Sequence, residues 1–397
     1  MKEIKISKWM VGLLALACGI IVANLYYSQP IISIIAKDLD LSRSTQGGIV
    51  TLTQIGYALG LIFLVPLSDI KENKKLIISG LLIVLFGLII LIETKSSTVF
   101  LMASFLIGLG STSAQIIVPL ATKLFKDKQN GKIIGNVMSG LLLGIMLARP
   151  VSSFISGVLN WRSVFISSAV LITIILILLI TFVPERKSSR RESYFSIIKS
   201  MGALYISEKL LRRRSTYQAL LFGLFSMFWT ITPQWLMTNY NLNQSEVAIF
   251  GFVGISGALA APIVGRLADK GHARILTNLA FVIAIFSFLT NLLLLDQSLS
   301  SLGLLTLSAI ALDFAVSGNL VIGQSIIYSI DENKKGRING VFMSIFFLGG
   351  ALGSYFGNLI YANSGWQAAM IIGSLIPCVG LLYSFTESLN FQLINKH

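Results

Sequence analysis

The sequence predicts an all-α membrane protein with twelve transmembrane helices in two pseudo-symmetric six-helix bundles. The first observation behind this prediction is composition: 54% of the 397 residues are hydrophobic and 12% are charged, with a mean hydropathy of +0.80. Soluble proteins carry about 25% charged residues, so most of this surface is expected to face lipid. The second observation is that apolar runs of roughly 20 residues recur along the chain, the length a helix needs to cross the hydrocarbon of a bilayer.

The third observation is an internal duplication. Two blocks 205 residues apart match without a gap, and further positions agree at the same or nearly the same offset. These pairs are 131–139 with 336–344, Gly144 with Gly349, Trp161 with Trp366, and 67–69 with 267–269. Duplicated membrane halves are typical of secondary transporters, because two packed halves can rock about a binding site held between them.

The apolar runs divide the chain into two domains joined by a basic linker. The twelve predicted spans are 9–36, 45–67, 76–92, 99–121, 133–157, 163–183, 215–238, 247–267, 275–295, 300–329, 338–361 and 367–386. Spans 1–6 form a first domain at residues 1–183, and spans 7–12 form a second at 215–397. The linker at 184–214 is the longest polar segment. Apolar residues at helical spacing between 194 and 206 predict an amphipathic helix there, on the membrane surface.

The net charge of +14 is interpreted as a topology signal. If the N-terminus is cytoplasmic, 26 of the 31 lysines and arginines fall in cytoplasmic segments. This positive-inside bias predicts that both termini are cytoplasmic. The basic charge is therefore expected to meet membrane lipid and not nucleic acid.

Enzymatic functions are not indicated. The loops are too short to hold an extramembrane domain, and the chain contains only two histidines, His272 and His397, and two cysteines, Cys18 and Cys378. No catalytic residue set, metal-ligating cluster or nucleotide-binding loop is found. We therefore predict no cofactor and no metal site, and an energy source other than ATP.

The loop after span 8 carries the most specific motif, residues 265–270 (GRLADK), and its first-half counterpart keeps Asp69 and the basic residues that follow. This motif resembles the cytoplasmic loop signature of the major facilitator superfamily. The twelve spans, the two halves and the central linker extend that resemblance over the whole chain. It implies a charge cluster that stabilises one conformation, with the Asp near a helix N-terminus. The residues expected to control gating are Asp69, Lys74, Gly265, Asp269, Lys270 and Arg274.

The same resemblance implies that spans 1, 4, 7 and 10 line a central cavity. In span 1, residues 24–30 (NLYYSQP) resemble a segment of bacterial exporters of the drug-efflux type, and Pro30 predicts a kink because it lacks a backbone donor. The residues predicted to bind substrate are Asn24, Tyr26, Tyr27, Gln29, Gln115, Arg149, Trp229, Gln234 and Asn319. Each uncharged member, taken singly, is more often a hydrogen bond between helices.

Two charged residues lie deep inside predicted spans. Arg149 precedes Pro150 in span 5, where the family's glycine-rich antiporter signature has a glycine. A buried arginine costs about 2.5–3.5 kcal/mol on insertion scales, so either a substrate anion or carbonyls freed near Pro150 must compensate it. Asp313, midway along span 10, is the predicted proton-coupling carboxylate; the alternative is a structural, hydrogen-bonded Asp. The arginine that the family carries in span 4 is missing, Ser104 stands there, and Arg149 is expected to take over part of its role.

These observations predict a monomeric exporter that works by alternating access and is driven by proton antiport. The planar fork of an arginine matches a carboxylate, so we expect a small, polar, carboxylate-bearing metabolite, for example an opine-type metallophore. Two alternatives stay open, namely multidrug efflux and proton-coupled import of a sugar or acid.

Overall fold

The computed structural model describes residues 8–42, 45–124, 130–185, 192–293, 297–331 and 334–387. Within these ranges the chain is helical apart from short turns, and no strand occurs. The helices are α1 (Lys8–Ala23), α2 (Ile32–Asp38), α3 (Gly48–Phe63), α4 (Asn73–Glu93), α5 (Ser97–Ser111), α6 (Ser113–Leu124), α7 (Asn130–Val158), α8 (Trp161–Phe182), α9 (Tyr194–Ser207), α10 (Lys209–Asn239), α11 (Gln244–Gly251), α12 (Ser256–Leu267), α13 (Ala273–Thr290), α14 (Leu299–Ile327) and α15 (Lys335–Phe385).

Twelve membrane-crossing segments run through these helices. Among the described residues, nine helices are long and apolar enough to cross a membrane. One of the nine is α15, whose helical geometry breaks at Gly365 (φ +76°), so that it supplies two segments. Two further segments begin with shorter apolar helices, Trp9–Ala23 and Gln244–Ile255. The predicted all-α architecture with twelve spans is confirmed.

The outer surface of the bundle is apolar. Large side chains on α4, α8 and α15 are more than half exposed, for example Phe86 (59%), Ile177 (57%) and Leu382 (66%). Soluble monomers rarely expose apolar patches of this kind, whereas lipid covers them without cost. These faces therefore mark the side of each helix that meets the bilayer.

The first span is interrupted where Pro30 predicts a kink. Helix α1 ends at Ala23, a turn follows, and a 3₁₀ turn at Gln29–Ile31 contains Pro30 before α2 begins. Proline cannot donate the backbone hydrogen bond that would continue the helix. The break brings Gln29 into the interior of the protein, where it is 1% exposed.

Close helix contacts through small residues recur in both halves. A Cβ atom on Gly144 of α7 would lie 2.2 Å from the Gly19 carbonyl oxygen of α1. A Cβ atom on Gly349 of α15 would lie 2.3 Å from the Ala219 carbonyl oxygen of α10. Gly349 follows Gly144 by 205 residues and Ala219 follows Gly19 by 200 residues, and these are the two offsets of the sequence repeat. The two halves therefore share a packing unit, as the duplication predicts.

The linker contains the predicted amphipathic helix, α9. Its inner face buries Ile197, Met201 and Leu204, while Phe195 is 83% exposed. Helix α9 packs against α10, α15 and the 3₁₀ turn Val65–Asp69. We call the end of the bundle that carries α9 the linker side and the opposite end the far side.

Helix α10 begins earlier than the predicted seventh span, at Lys209 instead of 215. Arg214, assigned from the sequence to the polar linker, is buried (4% exposed) and forms an ion pair with Glu387 at 2.7 Å. Its Nη1 also donates to Thr277 Oγ1 at 3.0 Å. These partners offset the desolvation of the guanidinium, which is why the helix can include it.

Candidate functional site

Arg149 is the centre of the candidate site. Its side chain on α7 is 2% exposed, and its Nε donates a hydrogen bond to Gln29 Oε1 at 2.9 Å. The guanidinium carbon lies 4.5 Å from the ring centre of Trp229, 4.7 Å from that of Phe225 and 5.3 Å from that of Tyr26. Aromatic faces attract a cation by about 0.5–2 kcal/mol. The Nη2 atom is buried and has no hydrogen-bond partner.

Two interpretations of the buried arginine were open from the sequence. In one of them, Arg149 bonds to backbone carbonyls freed by Pro150. Helix α7 instead continues through Pro150, and the hydrogen bond of Arg149 goes to a side chain of span 1. Ser104, in span 4, bonds back to the Phe100 carbonyl of its own helix at 2.9 Å. The buried cation of the site therefore comes from span 5.

Asp313 is the second buried charge. It lies on α14, is 2% exposed, and accepts a hydrogen bond from Trp229 Nε1 at 2.8 Å. No nitrogen of Arg149 lies within 4.0 Å of its carboxylate oxygens, so the two charges do not form an ion pair. Trp229 links them, because its ring covers the guanidinium while its N–H holds the carboxylate.

Gly254 lies against both charged groups. It belongs to a 3₁₀ turn, Phe252–Ile255, that separates α11 from α12. A Cβ atom at this position would be 3.2 Å from Arg149 Nη1 and 3.2 Å from Asp313 Oδ2. Glycine is therefore what allows the backbone of span 8 to approach the pair. Short 3₁₀ stretches inside a helix often mark a functional hinge.

Gly254 was not predicted from the sequence, although a signal was present. Glycines recur three apart along span 8, at 251, 254 and 257. Small residues at helical spacing indicate a close helix contact, and all three sit against another element. Gly251 lies against Pro150 of α7, and Gly257 lies against Ser317 of α14.

Four of the nine predicted substrate-binding residues gather at the site: Tyr26, Gln29, Arg149 and Trp229. They come from spans 1, 5 and 7, and Asp313 of span 10 completes the group. The guanidinium edge can bind an anion, and the carboxylate can exchange a proton. Within the described ranges, no group of three or more His, Cys, Asp and Glu side chains is arranged to hold a metal ion.

Two other predicted residues form hydrogen bonds within their own halves, Asn24 in the first half and Asn319 in the second. Asn24 donates to the Ile20 carbonyl at 3.0 Å and accepts from Ser168 Oγ at 2.7 Å. Asn319 donates to Gln218 Oε1 at 2.7 Å. Both contacts follow the alternative interpretation, in which a polar side chain in a span bonds to a neighbouring helix.

For the last three predicted residues, the described hydrogen bonds go to groups other than Arg149 and Asp313. Gln115 donates to the Tyr57 hydroxyl at 3.0 Å. Gln234 donates to the Thr230 carbonyl at 2.9 Å, one turn back on its own helix. Tyr27 is buried, and its backbone carbonyl accepts from Ser152 Oγ at 2.6 Å. Their roles in substrate binding stay predictions.

Hydrogen bonds between the halves close the far side of the site. Gln244, at the start of α11, donates to Ser153 Oγ at 2.7 Å and to the Pro30 carbonyl at 2.9 Å. Ser153 in turn donates to the Gln244 carbonyl at 3.0 Å. Thr51 of α3 donates to the Ala351 carbonyl of α15 at 3.2 Å. These bonds join spans 1, 2 and 5 to spans 8 and 11.

On the linker side, Arg337 connects the halves. Its Nε lies 3.9 Å from Asp69 Oδ2, and its Nη1 donates to Ser200 Oγ of α9 at 3.1 Å. It also forms an ion pair with Glu192. Asp69 was predicted as a gating residue, but Arg337 was not. The repeat offers a signal, since Arg337 aligns with another basic residue, Lys132.

Two other predicted gating residues, Lys74 and Arg274, form hydrogen bonds outside this cluster. Lys74 donates to the Ile180 carbonyl at 2.7 Å, and Arg274 donates to the Phe385 carbonyl at 3.4 Å, each within its own half. Gating roles for these residues stay predictions. The rest of the set is Gly265 near the end of α12, Lys270 in the exposed turn that follows, and Asp269, whose side chain lies outside the described residues.

Comparisons with known proteins agree with this architecture. A family model described as Major Facilitator Superfamily matches residues 14–327. The uncharacterized transporter YgaY of Escherichia coli is 35% identical over 379 residues, which cover 95% of each chain. The bicyclomycin resistance protein homolog of Haemophilus influenzae is 24% identical over 368 residues, covering 90% of this chain and 91% of the relative. The crystal structure of the nucleoside transporter NupG has a TM-score of 0.76 at 13% identity, over 94% of this chain and 99% of that one.

The family model covers well over half of the chain, and the relative from Escherichia coli matches it almost from end to end. The twelve spans, the repeated helix contact and the charged site between the halves fit this assignment. The chain belongs to the Major Facilitator Superfamily and is a multi-pass secondary transporter.

Proposed function

We propose that this transporter exports a small, polar, carboxylate-bearing metabolite by proton antiport and alternating access. The observation that carries the proposal is the buried Nη2 of Arg149, which has no hydrogen-bond partner and belongs to the same site as the buried carboxylate of Asp313. In this proposal the linker side and both termini are cytoplasmic, the membrane is the bacterial cell membrane, and the protein works as a monomer.

A carboxylate is the substrate group that best fits Arg149. The guanidinium carbon lies over the rings of Tyr26, Phe225 and Trp229, and Gln29 accepts only from its Nε. A buried donor without a partner costs about 1–3 kcal/mol, and more when it is charged. A planar carboxylate accepts two parallel hydrogen bonds from an arginine edge. An opine-type metallophore is one molecule that supplies such carboxylates.

Asp313 is the group proposed to carry the coupling proton. An ionised carboxylate is costly at this depth, and Trp229 supplies its one described hydrogen bond. Asp313 is linked to the first half through Trp229, which also contacts Arg149. A proton that arrives or leaves here therefore acts on the contact between the halves through Trp229, and coupled transport requires such a link.

Alternating access is proposed to break the two sets of contacts in turn. Opening to the outside requires separation of Gln244 from Ser153 and Pro30. Opening to the cytoplasm requires separation of Arg337 from Asp69 and from the linker. Interfaces of this kind switch between discrete states, so neutralising one set shifts the population towards one opening.

The test measures export in cells in which the gene has been deleted. These cells then express matched amounts of the wild type or of one variant. The wild type should place one or more carboxylate-bearing metabolites in the medium, and Arg149→Lys should lose this export although it keeps the charge. Arg162→Lys is the matched control: this arginine also stacks on a ring, Trp161, but lies away from the site. Export that survives Arg149→Lys would refute the carboxylate assignment.

Multidrug efflux is the second candidate, because one relative is named for bicyclomycin resistance and three aromatic rings surround Arg149. Such a pump should expel a lipophilic cation, for example ethidium. Ethidium efflux that depends on Asp313 but is unchanged by Arg149→Lys would favour this function over metabolite export.

A further inference from the structure

Arg149 and Asp313 form an open pair of opposite charges. Both are buried, yet no nitrogen of one lies within 4.0 Å of an oxygen of the other. Arg149 Nη1 and Asp313 Oδ2 each lie 3.2 Å from the Cβ position of Gly254, so these two atoms are at most twice that distance apart. Trp229 Cζ2 lies 3.7 Å from the same position. We call this group of four residues the Gly254 niche.

Arg149 and Asp313 together offer a donor without a partner and an acceptor. Nη2 of Arg149 has no hydrogen-bond partner, and Asp313 receives one described hydrogen bond, from Trp229 to Oδ1. Among the described residues, Arg149 is the charge that acts on Asp313, and the ring centre of Tyr26 lies 5.3 Å from the guanidinium carbon. Each buried charge needs a compensating partner, and a ligand that carries both signs of charge would supply one to each.

The sign of each charge selects the ligand. A carboxylate alone satisfies Arg149 but brings a second anion towards Asp313. An amine alone satisfies Asp313 but brings a second cation towards Arg149. A molecule that carries an ammonium next to its carboxylate satisfies both without like-charge repulsion.

Proton antiport points to the same molecule. A substrate that offers Asp313 only a carboxylate binds best when Asp313 holds its proton, so the proton and substrate would travel together. A substrate whose ammonium occupies Asp313 excludes the proton, so each lowers the affinity for the other. Only this mutual exclusion lets the transporter exchange substrate for protons across the membrane.

We propose that the exported molecule carries a primary or secondary amine beside a carboxylate, and that its ammonium and the coupling proton alternate at Asp313 in the Gly254 niche. This inference rests on the proposed antiport function. On binding, the protonated carboxyl of Asp313 releases its proton to water and the substrate ammonium takes its place, while the substrate carboxylate binds the edge of Arg149. Substrate release and reprotonation of Asp313 reverse these changes.

The first experiment identifies the exported molecules by their reactive groups. Spent medium is compared by mass spectrometry between cells without the gene and cells complemented with wild type, Arg149→Lys or Asp313→Asn. Arg162→Lys and Asp38→Asn are the matched controls, because these residues pair with each other at 2.6 Å away from the niche. Each sample is divided and treated with dansyl chloride, which labels primary and secondary amines, or with acidic butanol, which esterifies carboxyls.

The expected result is one or more metabolites that react with both reagents and that fall in the medium by about tenfold or more in both site variants, while the controls export normally. Dependent metabolites that react only with acidic butanol would overturn the amine inference and leave carboxylate export standing. Dependent metabolites that react only with dansyl chloride would carry no carboxyl group. They would overturn this inference and also the carboxylate-bearing substrate of the proposed function. If no metabolite depends on the protein, the export function itself is refuted.

The second experiment measures the proton. The metabolite identified in the medium is added to purified protein in a weakly buffered detergent solution that contains a pH indicator. Binding should release protons from the wild type, and the release should be absent in Asp313→Asn. Proton uptake by the wild type, or release that persists in Asp313→Asn, would overturn the shared use of Asp313.

Discussion

Gly144→Ala is predicted to separate α1 from α7. The added Cβ would lie 2.2 Å from the Gly19 carbonyl oxygen and 2.5 Å from Gly19 Cα. Non-bonded carbons are most stable at about 3.5–4.0 Å, so the helices must part by roughly 1 Å. Both contacts are to backbone, which cannot rotate away as a flexible side chain can. Overpacking of this kind costs about 1–3 kcal/mol, against a gain of about 0.8–1.0 kcal/mol from replacing a helical glycine by alanine.

The expected net loss in the free energy of unfolding is about 2 kcal/mol. It combines the upper part of the overpacking cost, because the obstacle is backbone, with the opposing gain in helix propensity. For a half of this size it corresponds to a fall in Tm of about 4–8 °C. Gly135→Ala is the control on the same helix: no atom lies within 4 Å of its Cβ position, so it should keep only the gain from helix propensity. Gly349→Ala is the counterpart in the second half, with a Cβ 2.3 Å from the Ala219 carbonyl oxygen, and should resemble Gly144→Ala.

The assay is thermal unfolding of each purified variant in one detergent, followed by transport. Arg149 is also on α7, and Gln29 follows α1, so a shift of roughly 1 Å lengthens their 2.9 Å hydrogen bond beyond useful range. Transport should therefore fall together with Tm. If Gly144→Ala unfolds at or above the temperature of Gly135→Ala, the close helix contact and the reasoning built on it are wrong.

Three further predictions follow from the site and the topology. Asp313→Asn keeps the shape of the side chain but cannot ionise, so gradient-driven transport should stop; accumulation against a gradient at the normal rate would contradict the coupling role. Asp69→Asn weakens the contact with Arg337 and should slow turnover with little change in equilibrium affinity, whereas a large loss of affinity with unshifted conformational populations would argue against gating. A cysteine at Lys95, exposed on the far side, should react with an impermeant thiol reagent in intact cells and one at Ser196 of α9 should not; labelling at position 196 would reverse the proposed orientation.

The fold was predictable because it follows from local properties of the chain. A run of apolar residues long enough to cross a bilayer must form a helix there, since no water is available for the backbone groups. The prediction was less accurate at helix ends. It placed the start of the seventh span at 215, whereas α10 begins at Lys209, because Glu387 and Thr277 compensate the charge of Arg214. Glu387 and Thr277 lie far from Arg214 in the sequence, so the residues next to Arg214 give no sign of this compensation.

The site was predictable only in part. Arg149 and Asp313 are evident in the sequence because a charge inside an apolar span is costly and rare. Asn24, Asn319 and Gln115 look equally polar there, but each faces a helix of its own half. Whether a polar side chain faces the other half depends on how its helix is rotated about its own axis. A span that is apolar on every side does not encode that rotation.

The sequence by itself determined the number of spans, the division into two related halves, the family and the presence of two buried charges. These properties depend on composition, on run length and on repeated motifs, which can be read residue by residue. Only the tertiary structure decided that Trp229 joins the two charges, that Gly254 lies against both, and that Arg337 faces Asp69. Each of these contacts joins residues far apart in the chain, so it depends on how two surfaces pack and not on either segment alone.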